Sequence, residues 1–471
     1  MTFTHDVCVV GAGAAGLTAA GGLAMLGLRV ALVERGTMGG ECLNTGCVPS
    51  KALLAAAAVA QGVRDAARFG VRTAEPEVDF QAVMRFVHGA IAAIAPHDAR
   101  KRFEAMGVEV VAAEARFLDR RTLLAGNRRI AAARYVIATG SKPAVPDLPG
   151  LASVPFLTTD TLFQLTEQPE HLAILGGGPI GIEMAQAFRR LGSKVTVVEP
   201  QRALAREDPE AAGVVLDRLR AEGVRLCEGQ GVATVEGGDN FVNLRLQSGE
   251  TVSASHLLVA TGRRAPVEGL DFGAAGVAVE AGGITVDPQR RTSNRRIMAI
   301  GDCRAGPRFT HVAGAEGSLV VQAIGLGWPA KASYAALPRV IYTDPELAQA
   351  GLTEAEARAR HDTVRIETAA FADNDRAVTE GDTAGFVRTV RAGGRLVGVT
   401  IVGAHAGELL LPWTQILAGK ASLFQLAGTT VAYPTRSEQS KAAAFAGYMP
   451  LVSGSTARRW ARVLARLHRW T

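Results

Sequence analysis

The sequence predicts an α/β fold built from two Rossmann-like βαβ units and a further module of mixed strands and helices. Three observations carry this expectation. A glycine fingerprint follows a short apolar strand near the N-terminus, the same fingerprint returns later in identical register, and strand-like and helical stretches alternate along the chain. At roughly 150 residues per domain, 471 residues correspond to about three domains. A hydrophobic fraction of 48% and 53 glycines exclude a disordered chain and fit a globular protein with many tight turns.

The first unit reads as a buried strand from Asp6 to Val10, then Gly11-Ala12-Gly13-Ala14-Ala15-Gly16, a helix to about Leu26, and a strand from Arg29 to Val33 ending at Glu34. Gly11, Gly13 and Gly16 permit a tight turn and close approach of backbone to a pyrophosphate at a helix N-terminus. Glu34 is placed to hold a ribose hydroxyl. The long apolar region from Val7 to Leu28 follows Asp6 rather than a basic segment and contains the fingerprint, so it reads as fold rather than signal peptide, and a cytoplasmic protein is expected.

Next comes Gly39-Gly40-Glu41-Cys42-Leu43-Asn44-Thr45-Gly46-Cys47-Val48-Pro49-Ser50-Lys51, with two cysteines five apart. In a regular helix their Cα atoms would be about 8.7 Å apart, beyond the roughly 7 Å that a disulfide tolerates. A bridged pair therefore requires irregular backbone, for which Gly46 and Pro49 are suited. The apolar run from Ala52 to Ala60 reads as a helix, whose N-terminus, with Lys51, would favour thiolate. The alternative is a glycine-rich turn with two unrelated buried cysteines. Only five cysteines occur (Cys8, Cys42, Cys47, Cys227, Cys303), too few and too scattered for a secreted disulfide framework.

The second unit runs from His171 to Leu175, through Gly176-Gly177-Gly178-Pro179-Ile180-Gly181 and a helix to about Leu191, to Lys194–Val198 and Glu199. Gly11 and Gly176, Gly16 and Gly181, Gly27 and Gly192, and Glu34 and Glu199 are each 165 residues apart. Gly178 repeats Gly13. Two such units imply two dinucleotides, most economically a resident flavin dinucleotide and a visiting nicotinamide dinucleotide. Two apolar strands end alike, at Ala138-Thr139-Gly140 and Ala260-Thr261-Gly262, and each is expected to close a dinucleotide domain. A third ends at Gly301-Asp302, where the carboxylate could accept from a sugar-like hydroxyl or cap a helix. Proline-rich connectors near Lys142 to Pro155 and Tyr334 to Pro345 mark boundaries. Beyond Ile341, strand-like segments such as Phe386 to Val390 and Leu396 to Val402 lack another fingerprint.

These motifs, with Thr310-His311-Val312-Ala313 and Tyr342-Thr343-Asp344-Pro345-Glu346, fall in the order found in the FAD-dependent pyridine nucleotide-disulfide oxidoreductases, which the chain resembles to about Ala446. That group contains dihydrolipoamide dehydrogenase, glutathione reductase and mercuric reductase. The resemblance implies an FAD domain (1–150), an NAD(P) domain (151–270), a central segment returning to the flavin (271–340) and a C-terminal α+β dimerisation domain (341–454) that makes a homodimer. It implies that Cys47 lies beside the flavin, that Cys42 meets the acceptor, that Lys51 and Glu183 pair near the reactive flavin nitrogen, and that Asp302 binds the ribityl chain. Gly11, Gly13, Gly16, Glu34, Lys51, Thr139, Gly140 and Asp302 are then expected at FAD, and Gly176, Gly178, Gly181, Glu199 and Gly262 at the nicotinamide dinucleotide.

The family's usual C-terminal motif, His-Pro-Thr-x-x-Glu, supplies a proton-shuttling histidine from the partner subunit. Here Tyr433-Pro434-Thr435-Arg436-Ser437-Glu438 stands instead, with Tyr433 and Glu438 in the catalytic positions. A phenol with a pKa near ~10 is a poor proton acceptor at neutral pH. The acceptor is therefore a small molecule left unassigned: a disulfide as in dihydrolipoamide dehydrogenase, a quinone, or a metal species as in mercuric reductases, which resemble this chain in having a tyrosine near that position. No cysteine follows Cys303 and the chain opens directly on the first strand, so metal-delivering thiols are expected to be absent. Ser50 resembles the lipoamide and mercuric branches. Glu199 favours NADH by repelling a 2′-phosphate, while Arg202 and Arg206 are close enough in sequence to accommodate one. No resident metal is expected.

The formal charge of +6 includes five arginines (Arg458, Arg459, Arg462, Arg466, Arg469) in a terminal stretch without any acid, so the body is nearly neutral and nucleic-acid binding is not expected. The segment 455–471 reads as a basic amphipathic tail, with Trp460, Val463, Leu464, Leu467 and Trp470 on one side. It suits an anionic membrane surface or a partner, and equally a helix packed on the dimer. A non-enzymatic alternative is a redox-sensing or membrane-associated binding protein.

Overall fold

The computed structural model of the chain describes residues 3–239, 241–449 and 454–468. It divides into two compact units, one of residues 1–200 and 229–333, the other of residues 201–228 and 334–471.

In the first unit the strands His5–Val10 and Val30–Glu34 pair in parallel through helix Ala14–Met25, with Val7 opposite Val30 and Val10 opposite Val33. His5–Val10 also pairs in parallel with Arg128–Ile137, and Glu109–Ala112 extends the other edge. These strands are valine-rich and buried on both faces, as a parallel sheet covered on both sides requires. Ile297–Ala299 returns to this sheet from far along the chain, pairing in parallel with Tyr135–Ile137. The peptide just beyond it, Gly301-Asp302, is thereby delivered to the same sheet end as Gly11.

The second fingerprint builds the same arrangement. His171–Leu175, helix Pro179–Leu191 and Lys194–Glu199 form a parallel unit, with His256–Val259 pairing on the other side. The physical equivalence of the two copies is closest at the first glycine. Gly11 has φ +105° and a Cβ there would lie 2.4 Å from the Ala138 carbonyl oxygen; Gly176 has φ +106° and a Cβ there would lie 2.6 Å from that of Ala260. Only glycine adopts such a backbone without strain, and the close approach explains why each fingerprint has its own Ala-Thr-Gly strand end. The connecting segments between the two copies meet as a short antiparallel pair, Lys142–Pro143 with Arg263–Arg264.

The second unit is a five-stranded antiparallel sheet ordered Pro338–Ile341, Glu346–Gly351, Arg395–Gly403, Phe386–Ala392, Val364–Ala370. Its core gathers Trp413, Phe371, Val387, Val399 and Ile401, and the Trp413 indole N–H donates to Ser440 Oγ at 3.2 Å. Within this unit, helix Pro209–Ala221 is held to the sheet by charge. Arg388 on the sheet donates to both oxygens of Asp208 at 3.2 Å and ion-pairs Glu210, while Arg339 pairs Glu207. Asp208 also caps helix Pro209–Ala221, accepting from the Glu210 and Ala211 backbone N–H groups. The tail forms helix Ser455–Leu467; Arg469 and Trp470 lie outside the described residues.

Asp208 carries two separable roles. Asp208→Asn keeps a capping oxygen but breaks the ion pair with the buried Arg388, so a loss of about 1–3 kcal/mol is expected. Asp208→Ala removes the cap as well and costs about 1 kcal/mol more. Denaturant unfolding of the two variants measures the difference, and equal losses would show that the cap contributes nothing.

Candidate redox active site

The cysteine segment is seated directly on the first dinucleotide loop. Gly39 N–H donates to the Ala12 carbonyl at 2.9 Å, and a Cβ on Gly40 would lie 2.7 Å from Gly13 Cα, so bare backbone meets bare backbone. Cys42 sits in a short helix, Gly40–Asn44, which Asn44 fastens by donating its amide to the Met38 and Gly40 carbonyls. At Gly46 the chain leaves helical geometry with φ −125° and ψ −110°, and helix Cys47–Asp65 begins at the next residue. The expected break therefore falls at Gly46. Pro49 does not share in it, because proline is tolerated in a first helical turn, where its missing N–H has no partner to lose. The helix starts five residues earlier than the apolar pattern at Ala52 suggests, which puts Cys47 itself in the first turn.

All five cysteines are unbridged, and each of the Cys42 and Cys47 thiols is the largest influence on the other's pKa. The hydrogen bond with Cys42 pulls the Cys47 pKa down to about 6 against the opposing effect of burial. Thr310, whose Oγ1 is 3.3 Å from Cys47 Sγ, and the Lys51 charge act in the same direction. The same sulfur–sulfur hydrogen bond, reinforced by burial, pushes the Cys42 pKa well up. The pair is thus polarised, one thiolate stabilised by one thiol donor. Lys51 stands one helical turn beyond Cys47, and its ammonium is 2.8 Å from Glu183 Oε2. Glu183 is buried on helix Pro179–Leu191 of the second dinucleotide unit, so this ion pair ties the two glycine-turned units together beside the thiols.

Both strand-end acids hold their own loops. Glu34 accepts from Ala12 N–H at 2.7 Å and Gly36 N–H at 2.7 Å, and Glu199 accepts from Gly177 N–H at 2.8 Å. Asp302 lies in the turn Gly301–Cys303 and makes no helix-capping bond, which removes the capping alternative. Burial raises its pKa, and Ser141 Oγ donates to it at 2.8 Å. The Gly301 N–H beside it donates to the buried Glu316 at 2.8 Å, and Arg304 ion-pairs the same carboxylate.

Several groups escaped the sequence reading. Arg263 ion-pairs Glu41 and donates to Ser141 Oγ at 2.8 Å, making a chain from the residue beside Cys42 through Ser141 to Asp302. Burial pushes the Glu41 carboxyl up to about 7, with Arg263 opposing. The signal was present: Ser141 and Arg263 each come directly after one of the two Ala-Thr-Gly strand ends.

The site residues suit an FAD. Thr139 Oγ1 is buried without a hydrogen-bond partner, next to Gly140 and the Gly11 turn, and Asp302 is a desolvated acceptor at the same sheet end. Among the described residues no group of three or more histidine, cysteine, aspartate or glutamate side chains is placed to hold a metal ion. Tyr433 and Glu438 belong to the other compact unit. There the exposed Tyr433 hydroxyl donates to Asp375 Oδ2 at 2.9 Å, which raises its pKa further, and Glu438 Oε2 accepts from Thr435 N–H at 3.2 Å. The structure thus brings Cys42, Cys47, Lys51, Glu183 and the first-unit glycines into one neighbourhood.

Comparison with known proteins places this arrangement. The family model "Pyridine nucleotide-disulphide oxidoreductase" matches residues 5–317, and that of its dimerisation domain matches residues 337–444. A mercuric reductase of Streptomyces lividans is 37% identical over 460 residues, covering 93% of this chain and 95% of the relative. Dihydrolipoyl dehydrogenase 3 of Pseudomonas aeruginosa is 34% identical, covering 94% and 98%. Among solved structures, the HOCl-induced flavoprotein disulfide reductase RclA of Escherichia coli superposes with a TM-score of 0.84 at 27% identity, covering 94% of this chain and 99% of its own. The chain belongs to the pyridine nucleotide-disulphide oxidoreductase family, the flavin-dependent enzymes that join a nucleotide-binding body to a dimerisation domain.

Proposed function

We propose that this enzyme takes electrons from NADH and delivers them through Cys47 and Cys42 to a thiophilic metal species, in the cytoplasm and as a homodimer. The observation that carries the acceptor class is the Tyr433–Asp375 hydrogen bond. A phenol whose proton is held by a carboxylate cannot accept one from an attacking thiol at neutral pH. A metal acceptor displaces the Cys42 proton on coordination and needs no such relay, whereas attack on a disulfide needs Cys42 as the free thiolate beforehand. The relatives named mercuric reductases point to the same class. A small disulfide is the second reading, supported by the dihydrolipoyl dehydrogenase relative.

When bound, FAD supplies the hydride-accepting chemistry that links a nicotinamide to a dithiol. The chain's own part is to hold the electron pair as a polarised dithiol. Lys51 and Thr310 stabilise negative charge on Cys47, the Cys47–Cys42 hydrogen bond keeps the remaining proton on Cys42, and Glu183 fixes the Lys51 ammonium in place. Coordination of a metal acceptor displaces that proton to water and leaves Cys42 as a thiolate ligand. Glu199 supports NADH, since its carboxylate is anchored at the loop where a 2′-phosphate would have to be tolerated. Arg202 donates instead to the Pro209 carbonyl.

Alkylation of Cys47 by iodoacetamide is expected to rise with pH to a midpoint near 6, because the thiolate exists above its lowered pKa and is lost below it. Lys51→Met should move that midpoint up by on the order of one unit, by removing the nearby cation; an unmoved midpoint would take Lys51 out of the role. With lipoamide as acceptor, Tyr433→His should raise kcat/KM by on the order of a hundredfold while leaving Hg(II)-dependent NADH oxidation nearly unchanged. A parent enzyme that turns over lipoamide rapidly would favour the disulfide reading. Glu199→Ala should narrow the ratio of kcat/KM for NADH over NADPH by roughly tenfold, about the removal of one like-charge repulsion.

A further inference from the structure

Helix Ser455–Leu467 lies beyond the end of the family match at residue 444 and takes no part in the site. It has no buried residue. Trp460, Val463, Leu464 and Leu467 recur at helical spacing along one face, with Trp460 64% and Leu467 58% exposed. At ~100° per residue, Arg458, Arg459, Arg462 and Arg466 fall together on the opposite face. No acid occurs between Ser455 and Leu467. Among the described residues none of these four arginines forms an ion pair; Arg462 donates to the Arg458 carbonyl at 3.2 Å, along the helix itself.

Keeping an apolar stripe of this size in water costs free energy, and four clustered guanidinium groups repel one another. Both terms are relieved by one kind of surface, an apolar layer edged with fixed anions. We infer that Ser455–Leu467 is a docking helix for an anionic lipid bilayer, lying in the interface with Trp460, Val463, Leu464 and Leu467 toward the acyl region and the arginines among phosphates. Thirteen residues span only about 20 Å, and four charges forbid a transmembrane course, so the helix lies along the surface rather than through it. A polyanion such as nucleic acid would satisfy the arginines but leave the tryptophan and leucines exposed. A second copy of the chain would cover the apolar stripe but must also present acids to the basic face. The bilayer contact is independent of the acceptor assigned to the thiols.

The test is co-sedimentation of the full-length, FAD-loaded enzyme with phosphatidylcholine vesicles, with and without phosphatidylglycerol. Binding is expected only to the phosphatidylglycerol vesicles and should weaken as salt rises. Combining Arg458→Gln, Arg459→Gln, Arg462→Gln and Arg466→Gln should reduce partitioning by roughly six-hundredfold, at about fivefold per arginine near an anionic surface. The arginine-preserving pair Leu464→Asp and Leu467→Asp should also abolish it. NADH oxidation with ferricyanide should be unchanged in both variants, which shows that they fold. Equal binding to neutral and anionic vesicles, or undiminished binding by the glutamine variant, overturns the inference. Retained binding by the aspartate variant together with tight binding to a DNA duplex would make the helix a polyanion site. Dissociation of the dimer by either variant would make it a subunit contact instead.

Discussion

The ion pair between Lys51 and Glu183 is the contact on which the redox centre depends. A carboxylate as buried as that of Glu183 is costly without a cation, and removing one partner from such a pair typically costs about 3–5 kcal/mol. Its partner comes from the helix that starts at Cys47, and its own helix starts at the second glycine fingerprint. One electrostatic requirement therefore sets the distance between the thiols and the second dinucleotide unit. It also leaves a positive charge one turn from Cys47, where a thiolate has to be stabilised.

The duplication gives this arrangement economy. Each copy uses a glycine with φ near +105° pressed against the carbonyl of an Ala-Thr-Gly strand end, and each uses a strand-end glutamate to hold the second residue of the loop. The copies differ in the segments that lie downstream of them. After the first, Gly39 and Gly40 let the cysteine segment lie directly on the loop. After the second, the chain passes to helix Pro209–Ala221, held by Arg388 to the C-terminal sheet. One nucleotide-binding template thus carries the chemistry in one copy and leads into the other compact unit in the second.

The thiol pair and the C-terminal motif are built to different specifications. At the Cys47 end, a sulfur–sulfur hydrogen bond, Thr310 and Lys51 all act in one direction, toward thiolate. In the C-terminal motif a phenol replaces imidazole, and Asp375 holds its proton more firmly still.

Much of this was legible in the sequence because the features involved are local. The fingerprints, their identical register, the cysteine spacing and the tyrosine in the C-terminal motif are short-range patterns governed by backbone conformation or by the identity of one side chain. The α/β class and the helical tail arise from hydrophobic periodicity. What required the tertiary structure was every partnership across long chain separations: Arg263 with Glu41, Ser141 with Asp302, Thr310 with Cys47, and Arg388 with Asp208. Long flexible side chains carry no period that names their partner, and a charge in sequence is equally compatible with solvent. The order of amino acids alone dictates that two dinucleotide units and a reactive cysteine pair exist in this protein. The folded chain settles that the helix begins at Cys47 rather than at the apolar run, and that helix Pro209–Ala221 is held to the C-terminal sheet, because Arg388, the partner of its buried capping residue Asp208, lies 180 residues away along the chain.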